Sequence, residues 1–338
     1  MPKVSVIVPN YNHAPFLQKR IESILNQTFQ DFEIILFDDA STDESLEILN
    51  GYETHPKFSH IIVNTKNSGS PFVQWCRGIE LALGDYIWIA ETDDFAEFTF
   101  LEQTVLALQN NPNSNLVYVD SKIVDVNDNT IDLWSIRKNN RFKTTKWSMD
   151  HEVIGKNEVI DFLLNSVTIN NASAVLFRKK SLNSTNFLND LSTYKTVGDL
   201  YTYIFVALQG KISYIAQPLN NYREHELNVT KKNTHSGLIY LERIKCFQKS
   251  LSYFKNFDLT QNDFANLKES YVQILRKNGV KLIDLDFGKE LDHFIKKIIQ
   301  AKIFNIYKGF LYRCLFKLNA LNSPTLKKVS KRLIKKVL

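Results

Sequence analysis

The chain has 338 residues, 44% of them hydrophobic, and a formal net charge of +6. That length accommodates one large domain with an appendage, and the apolar content supports a full core. Cys76, Cys246 and Cys314 are odd in number and form no CxxC pair, which argues against a disulfide scaffold and a structural zinc site.

Two further exclusions concern location. A core strand begins within four residues of Met1, which leaves no room for a signal peptide. No apolar stretch approaches the ~18 residues that span a bilayer, so the expected location is the cytoplasm. The basicity is unevenly placed: residues 296–338 hold twelve Lys or Arg and no Asp or Glu, leaving the rest at −6. Within this tail, residues 298–321 and 327–338 mix apolar and basic side chains. Such segments form amphipathic helices on an anionic membrane surface, or pack their apolar face on the main domain. No nucleic-acid motif accompanies them.

In chain order, Val4-Ser-Val-Ile-Val8 reads as a buried strand stopped by Pro9-Asn10-Tyr11-Asn12. Phe16, Leu17, Ile21, Ile24 and Leu25 then recur at helical spacing. A second strand, Glu33-Ile-Ile-Leu-Phe37, runs into Asp38-Asp39, with Ser41 or Asp43 available to cap a helix through Leu46, Ile48 and Leu49. A third strand, Ile61-Ile-Val63, leads to Asn64-Thr-Lys-Asn-Ser-Gly69. A fourth, Tyr86 to Ala90, ends in Glu91-Thr-Asp93-Asp94. Repeated βαβ units predict a parallel sheet with helices on both faces. Ligands of such sheets collect beyond the carboxyl ends of the strands, where adjacent carboxylates suit Mg2+ or Mn2+ with phosphate oxygens. The plainer role for such acids is as turn formers and helix caps.

Further on, Leu116-Val-Tyr-Val-Asp120 begins another strand, and residues 127–149 are polar, irregular and rich in Lys and Asn. Asn170-Asn-Ala-Ser-Ala-Val-Leu-Phe177 reads as a loop entering a strand. Asp199 heads a helical run with Leu200, Ile204, Ala207 and Leu208 on one face. Lys211-Ile-Ser-Tyr-Ile215 is a strand, followed by Tyr222-Arg223-Glu224-His225. From Ser236 the pattern is helical, with amphipathic runs at 238–254 and 264–280.

Residues 4–12, 38–43, 67–69, Gln74-Trp75, 84–89 and 91–94, in that order, resemble the family 2 glycosyltransferases of the GT-A fold, and more narrowly bacterial members that build capsule or lipopolysaccharide chains. The resemblance covers roughly the first two thirds of the chain. Glu91 stands where many relatives have Asp or Ala, and Cys76 where close relatives often have Asn. It implies an α/β class of GT-A (Rossmann-like) type, with a mostly parallel central sheet flanked by helices. The expected domains are residues 1–235, with a donor half to about 115 and an acceptor half beyond it, and a helical region at 236–338.

By the same resemblance, Pro9, Tyr11, Asp39, Asn67, Gly69, Asp93 and Arg223 hold the nucleotide sugar. Tyr11 stacks on the base, Asp39 bonds to it, and Arg223 suits a phosphate. Asp94 and His225 hold Mn2+ or Mg2+, and Asp199 is the base that deprotonates the acceptor hydroxyl; Asp190 and Glu158 are alternatives. A structural reading stands beside each: Pro9 ends a strand, Gly69 supplies a turn, Asp199 caps a helix and His225 is a core histidine. The expected function is inverting, metal-dependent transfer of sugar from a nucleotide sugar, most simply a UDP-sugar, to a surface glycan, with a lipid-linked acceptor as one form. Two rivals are a sugar nucleotidyltransferase and a non-catalytic, membrane-attached binding protein. The first wants a Gly-rich basic loop after the first strand, which residues 9–15 lack. No G-x-G-x-x-G follows that strand either, which disfavours a dinucleotide-binding dehydrogenase.

Overall fold

The computed structural model describes residues 1–225, 237–254, 256–275 and 288–300. Two compact units divide them: residues 1–156 with 168–225, and residues 157–167 with the described residues from 237 onward. The basic segments predicted at 298–321 and 327–338 lie outside the described residues, apart from 298–300. Among the described residues no helix is long and apolar enough to cross a membrane.

The first unit is built on one ten-stranded sheet. Its strands are β1 (Val4–Asn10), β2 (Phe32–Asp38), β3 (Phe58–Val63), β4 (Tyr86–Ile89), β5 (Phe95–Ala96), β6 (Ser114–Val124), β7 (Thr130–Leu133), β8 (His151–Ile154), β9 (Val175–Arg178) and β10 (Lys211–Arg223). The order is β3-β2-β1-β4-β9-β6-β10-β5, with β7 beside β6 and β8 beside β10. Strands β3, β2, β1 and β4 run parallel, as do β6 and β10. Between them β9 pairs antiparallel to both β4 and β6.

Its helices are α1 (Ala14–Leu25), α2 (Ser45–Asn50), α3 (Pro71–Leu81), α4 (Phe100–Asn110), α5 (Trp134–Phe142), α7 (Thr185–Leu191) and α8 (Gly198–Ala207), while the short α6 (Gly155–Glu158) has residues in both units. Every residue of β1, β2 and β4 is buried, as expected for parallel strands covered on both faces. Alternation divides the work. Val4, Val6 and Val8 join Leu17, Ile21 and Ile24 of α1 and Phe100, Leu101 and Val105 of α4 in one core. Ile7 points the other way, against Gly78 of α3. Helix α3 opens with Ser70, whose side chain accepts from Phe72 N, and with Pro71 at its first position, both favoured at that end.

The residues do not follow the predicted pattern everywhere. Neither Ser41 nor Asp43 caps α2, which begins after Glu44 without a side-chain cap. Asp43 instead accepts from Ala14 N at 2.9 Å and Ser45 N at 3.1 Å, tying α1 to α2. Within the irregular segment 127–149 lie β7 and α5. What anchors α5 is a lysine: Lys138 is 5% exposed, with its ammonium 5.0–5.3 Å from the ring centres of Tyr118, Trp147 and Tyr214. Strand β10 runs through Pro218 because its pairing with β6 shifts register on both sides of that residue, which spares a ladder donor.

The second unit contains α9 (Leu238–Phe254), α10 (Gln261–Ile274) and α11 (Gly288–Gln300). Leu291, Phe294, Ile295 and Ile298 of α11 are fully buried, an i, i+3, i+4, i+7 stripe. Helix α10 starts with a capping box between Thr260 and Asp263. Tyr271 donates to or accepts from Ser250 Oγ at 3.0 Å and packs 5.8 Å from Phe294.

Candidate active site

The candidate site forms where β1, β2 and β4 end, the place parallel sheets offer to ligands. The strand ends are bonded to one another before any ligand is considered. Asn10 Nδ2 donates to Asp38 at 2.8 Å, Ser41 Oγ donates to the same oxygen at 2.6 Å, and Thr92 Oγ1 donates to Pro9 O at 2.8 Å. Asp38 is thus the structural member of the Asp38-Asp39 pair. Asp39 turns outward to the next loop, accepting from Asn64 Nδ2 at 2.7 Å, Ser68 N at 3.0 Å and Ser68 Oγ at 2.8 Å. Gly69 follows at φ 75°, where only glycine is relaxed, and its N–H donates to Asn67 Oδ1 at 2.6 Å. Asp39, Asn67 and Gly69 therefore belong to two bonded loops beside the end of β1, where Pro9 lies, and Tyr11 stands at their edge, 45% exposed. As found, the Asp39 carboxylate is taken up by its loop.

The turn after β4 is the electrostatic centre. Glu91 accepts from Trp75 Nε1 at 3.0 Å, and its N–H donates to Ser173 Oγ at 3.1 Å. Desolvation, with the charges of Asp93 and Asp94, pushes its carboxyl up to about 8. Asp94 is 3% exposed; its two oxygens accept from Asn171 Nδ2 at 2.7 Å and Arg223 N at 3.0 Å. Burial and the neighbouring Asp93 raise it to about 7 against the pull of Arg20. Asp93 goes the other way. Burial opposes its charge, but a hydrogen bond from His225 and the positive potential of His13 and His225 hold it below the usual carboxylate range.

The resemblance assigns the metal to Asp94 and His225. In the structure the carboxylate that faces His225 is Asp93, with Nε2 to Oδ2 at 3.1 Å. His13 joins them: one ligand atom each from His13, Asp93 and His225 lie within 4.8 Å of one another. His225 is 6% exposed, and among the described residues its Nδ1 has no hydrogen-bond partner. Two imidazoles, a carboxylate and an unsatisfied ring nitrogen are a donor set that fits a divalent transition ion.

Arg223, assigned to phosphate by resemblance, is 3% exposed. Its Nε donates to Asp93 O at 2.9 Å and its Nη1 to Asp125 O, Val126 O and the Asp128 carboxylate. Asp128 also pairs with Lys19. Arg223 thus clamps the 125–128 turn onto the Asp93-Asp94 turn. Beneath lies Arg20, fully buried, with Nε donating to Glu91 O at 2.8 Å and, among the described residues, no hydrogen-bond partner for Nη1 or Nη2.

Asp199 sits in the first turn of α8, where the helix dipole favours its ionised form. Beyond the effect of burial, its negative charge raises the pKa values of Glu91 and Tyr203, so it lies near the β4 turn. Of the two alternatives, Asp190 accepts from Tyr201 OH at 3.2 Å and Glu158 is 1% exposed. Gly198 sets the close packing here, since a Cβ on it would lie 2.7 Å from the Phe72 ring.

Arg20, His13 and Asn171 carry more of this site than sequence reasoning allots them. Arg20 leaves a trace in the sequence, a charge on the apolar stripe between Leu17 and Ile24. His13 and Asn171 leave none that separates them from ordinary loop residues.

Known proteins are similar to this chain. The family model described as Glycosyl transferase family 2 matches residues 5–183. An uncharacterized glycosyltransferase of Haemophilus influenzae is 30% identical over 248 residues, 63% of this chain and 98% of that protein. The poly(ribitol-phosphate) beta-N-acetylglucosaminyltransferase TarP of Staphylococcus aureus is 35% identical over 106 residues, 30% of this chain and 32% of its own length. Among solved structures, S. aureus TarS 1-349 in complex with UDP-GlcNAc superposes with a TM-score of 0.66 at 19% identity, covering 99% of this chain and 90% of that one. The last likeness is one of fold.

Proposed function

Because the chain belongs to glycosyl transferase family 2, we propose that it is an inverting, metal-dependent enzyme that moves a sugar from a UDP-sugar to a growing bacterial surface glycan. The observation that carries this reading is the Asp93–His225 pair just beyond the carboxyl ends of β4 and β10. It is supported by the UDP-GlcNAc bound in TarS and by the polymeric poly(ribitol-phosphate) in the name of TarP.

The roles divide as follows. Tyr11, Pro9 and the two loops around Asp39 and Gly69 receive the nucleoside, with Asp39 either ordering the 64–70 loop or turning to the base. Asp93 and His225 hold the cation, and Asp94 fixes the β4 turn through Asn171 and Arg223. A divalent ion bound there supplies positive charge against the departing diphosphate. Asp199 accepts the proton of the acceptor hydroxyl as that oxygen attacks the anomeric carbon from the side opposite the diphosphate, so configuration inverts. Arg223 organises the site through its Nε and Nη1 donors, which meet Asp93 O, Asp125 O, Val126 O and Asp128. We keep residues 1–115 as the donor half, 116–235 as the acceptor half and 236–338 as a helical region that brings the enzyme to an anionic membrane surface.

Calorimetric titration with UDP, GDP and CDP, each with and without Mn2+, tests the reading. Metal-dependent binding of UDP alone supports it. Preference for another nucleotide changes the donor, and failure to bind any of them refutes the reading in favour of a non-catalytic protein.

A further inference from the structure

We propose that His13 is a third protein ligand of the cation site, and that the resulting two-imidazole, one-carboxylate set selects later transition ions such as Co2+ or Mn2+ over Mg2+. The proposal rests on the reading of this site as the donor-diphosphate site, and it adds both a residue and a metal class to that reading.

His13 stands at the N-cap of α1 but makes no capping bond to it. Its backbone is fixed by other means. Its carbonyl accepts from Phe16 N at 2.9 Å and Leu17 N at 3.0 Å. The preceding Asn12, at φ 53°, is held by Ser41 Oγ at its N–H and by Thr42 N at its Oδ1. Asp43 takes the first helical N–H, that of Ala14. The imidazole is therefore delivered to a set place without serving the helix. There it meets the His225 ring edge-on at 6.1 Å, and Phe16 walls both rings at 5.3–6.1 Å.

The spacing suits a shared ion. Two ligand atoms on opposite sides of one small divalent cation lie about 4.2 Å apart, twice a bond of ~2.1 Å. The three candidate atoms already lie within 4.8 Å of one another, so a small side-chain rotation closes the set. His225 adds an independent sign: a buried ring nitrogen, Nδ1, that has no hydrogen-bond partner among the described residues. The chemistry then decides the metal. Mg2+ wants oxygen donors and keeps its waters, whereas imidazole favours later first-row ions, with Co2+ above Mn2+ in affinity.

The test uses the full chain and reads metal binding, not turnover. Co2+ is titrated by its visible absorption, and Mg2+ by calorimetry, with and without UDP, in wild type, His13→Ala and His13→Asp. Pulsed EPR on the Mn2+-loaded proteins counts nitrogen-coupled ligands. The expected results are two coupled histidines in wild type and one in His13→Ala. Co2+ affinity should fall at least about tenfold on loss of a ligand, with Mg2+ affinity little changed. His13→Asp should restore binding while shifting preference back toward Mg2+. Equal Co2+ affinity and nitrogen count in wild type and His13→Ala would overturn the assignment, as would no metal binding by wild type. Metal binding that depends on His13 but never responds to UDP would keep the ligand and sink the nucleotide-sugar reading instead.

Discussion

Gly198→Ala is the sharpest probe of how the base is aimed. The added Cβ would stand 2.7 Å from Cδ1 and Cγ of Phe72 and 2.8 Å from Cδ2. Carbon atoms are comfortable at 3.5–4.0 Å, so about 0.8–1.3 Å of movement is required. Phe72 has little freedom to supply it. It is 4% exposed and packs edge-on against Trp75 at 5.0 Å, while Trp75 in turn holds Glu91. The N-terminal turn of α8 must therefore yield, and Asp199 is the next residue. Overpacking of this kind costs about 1–3 kcal/mol of stability. A misplacement of roughly 1 Å at a reacting group costs on the order of 100-fold in rate, equivalent to about 2.7 kcal/mol of barrier. The assay is UDP release with the active donor and acceptor pair, beside calorimetric UDP affinity. Loss of kcat with UDP affinity within about threefold of wild type is expected, and Phe72→Leu in the same chain should restore much of the rate. A folded Gly198→Ala protein with wild-type kcat would refute the link between this contact and the base.

The remaining predictions are more direct. Asp199→Asn should abolish transfer while leaving metal-dependent UDP binding intact; a fully active variant would remove the base assignment. Asp94→Asn should cost about 1–3 kcal/mol in stability, because an amide can face only one of the donors from Asn171 and Arg223 with an acceptor; an unchanged melting temperature would show that those bonds carry no weight. In the metal-free protein the Glu91 carboxyl, at about 8 against a usual 4.5, binds its proton more tightly folded than unfolded. Its contribution to stability is therefore present at low pH and is lost as pH rises through 8. Glu91→Gln should melt higher than wild type at pH 8, with the gap closing toward pH 4.5, and a gap independent of pH would contradict the shift. Truncation after Ser323 should weaken binding to anionic vesicles in a salt-sensitive way, and equal binding would favour a packing role for the tail.

The donor strands were legible because each is a largely apolar run ending in a proline or polar stop, 4–8 at Pro9, 33–37 at Asp38 and 86–90 at Glu91, although β1 continues to Asn10 and β2 through Asp38. Helix α5 was not, since its anchor is Lys138 among three rings, a contact with no apolar periodicity. Division of labour within acidic pairs was equally hidden. Asp38 and Asp39, like Asp93 and Asp94, are neighbours whose side chains leave the backbone in different directions, and composition cannot say which one meets Asn10 and which Ser68. Arg223 reads as a phosphate ligand because arginine suits phosphate; only the fold reveals carbonyls at 125 and 126 and Asp128 waiting for the same donors.

Strand β9 has a consequence for biosynthesis. It closes the open side of β4, whose Tyr86, Ile87, Trp88 and Ile89 are all buried, and the segment just before it supplies Ser173 to Glu91 and Asn171 to Asp94. A nascent chain that has emerged only through residue 115 holds the nucleotide-side strands but has β4 as a bare, apolar edge, the kind of edge that pairs with other chains. The acidic turn likewise has no fixed shape until some sixty more residues have followed and β9 has slotted in beside β4. The nucleotide-binding side is thus completed by a late arrival. It cannot be excised as an independent module, and during synthesis it needs protection until the middle of the sheet is filled.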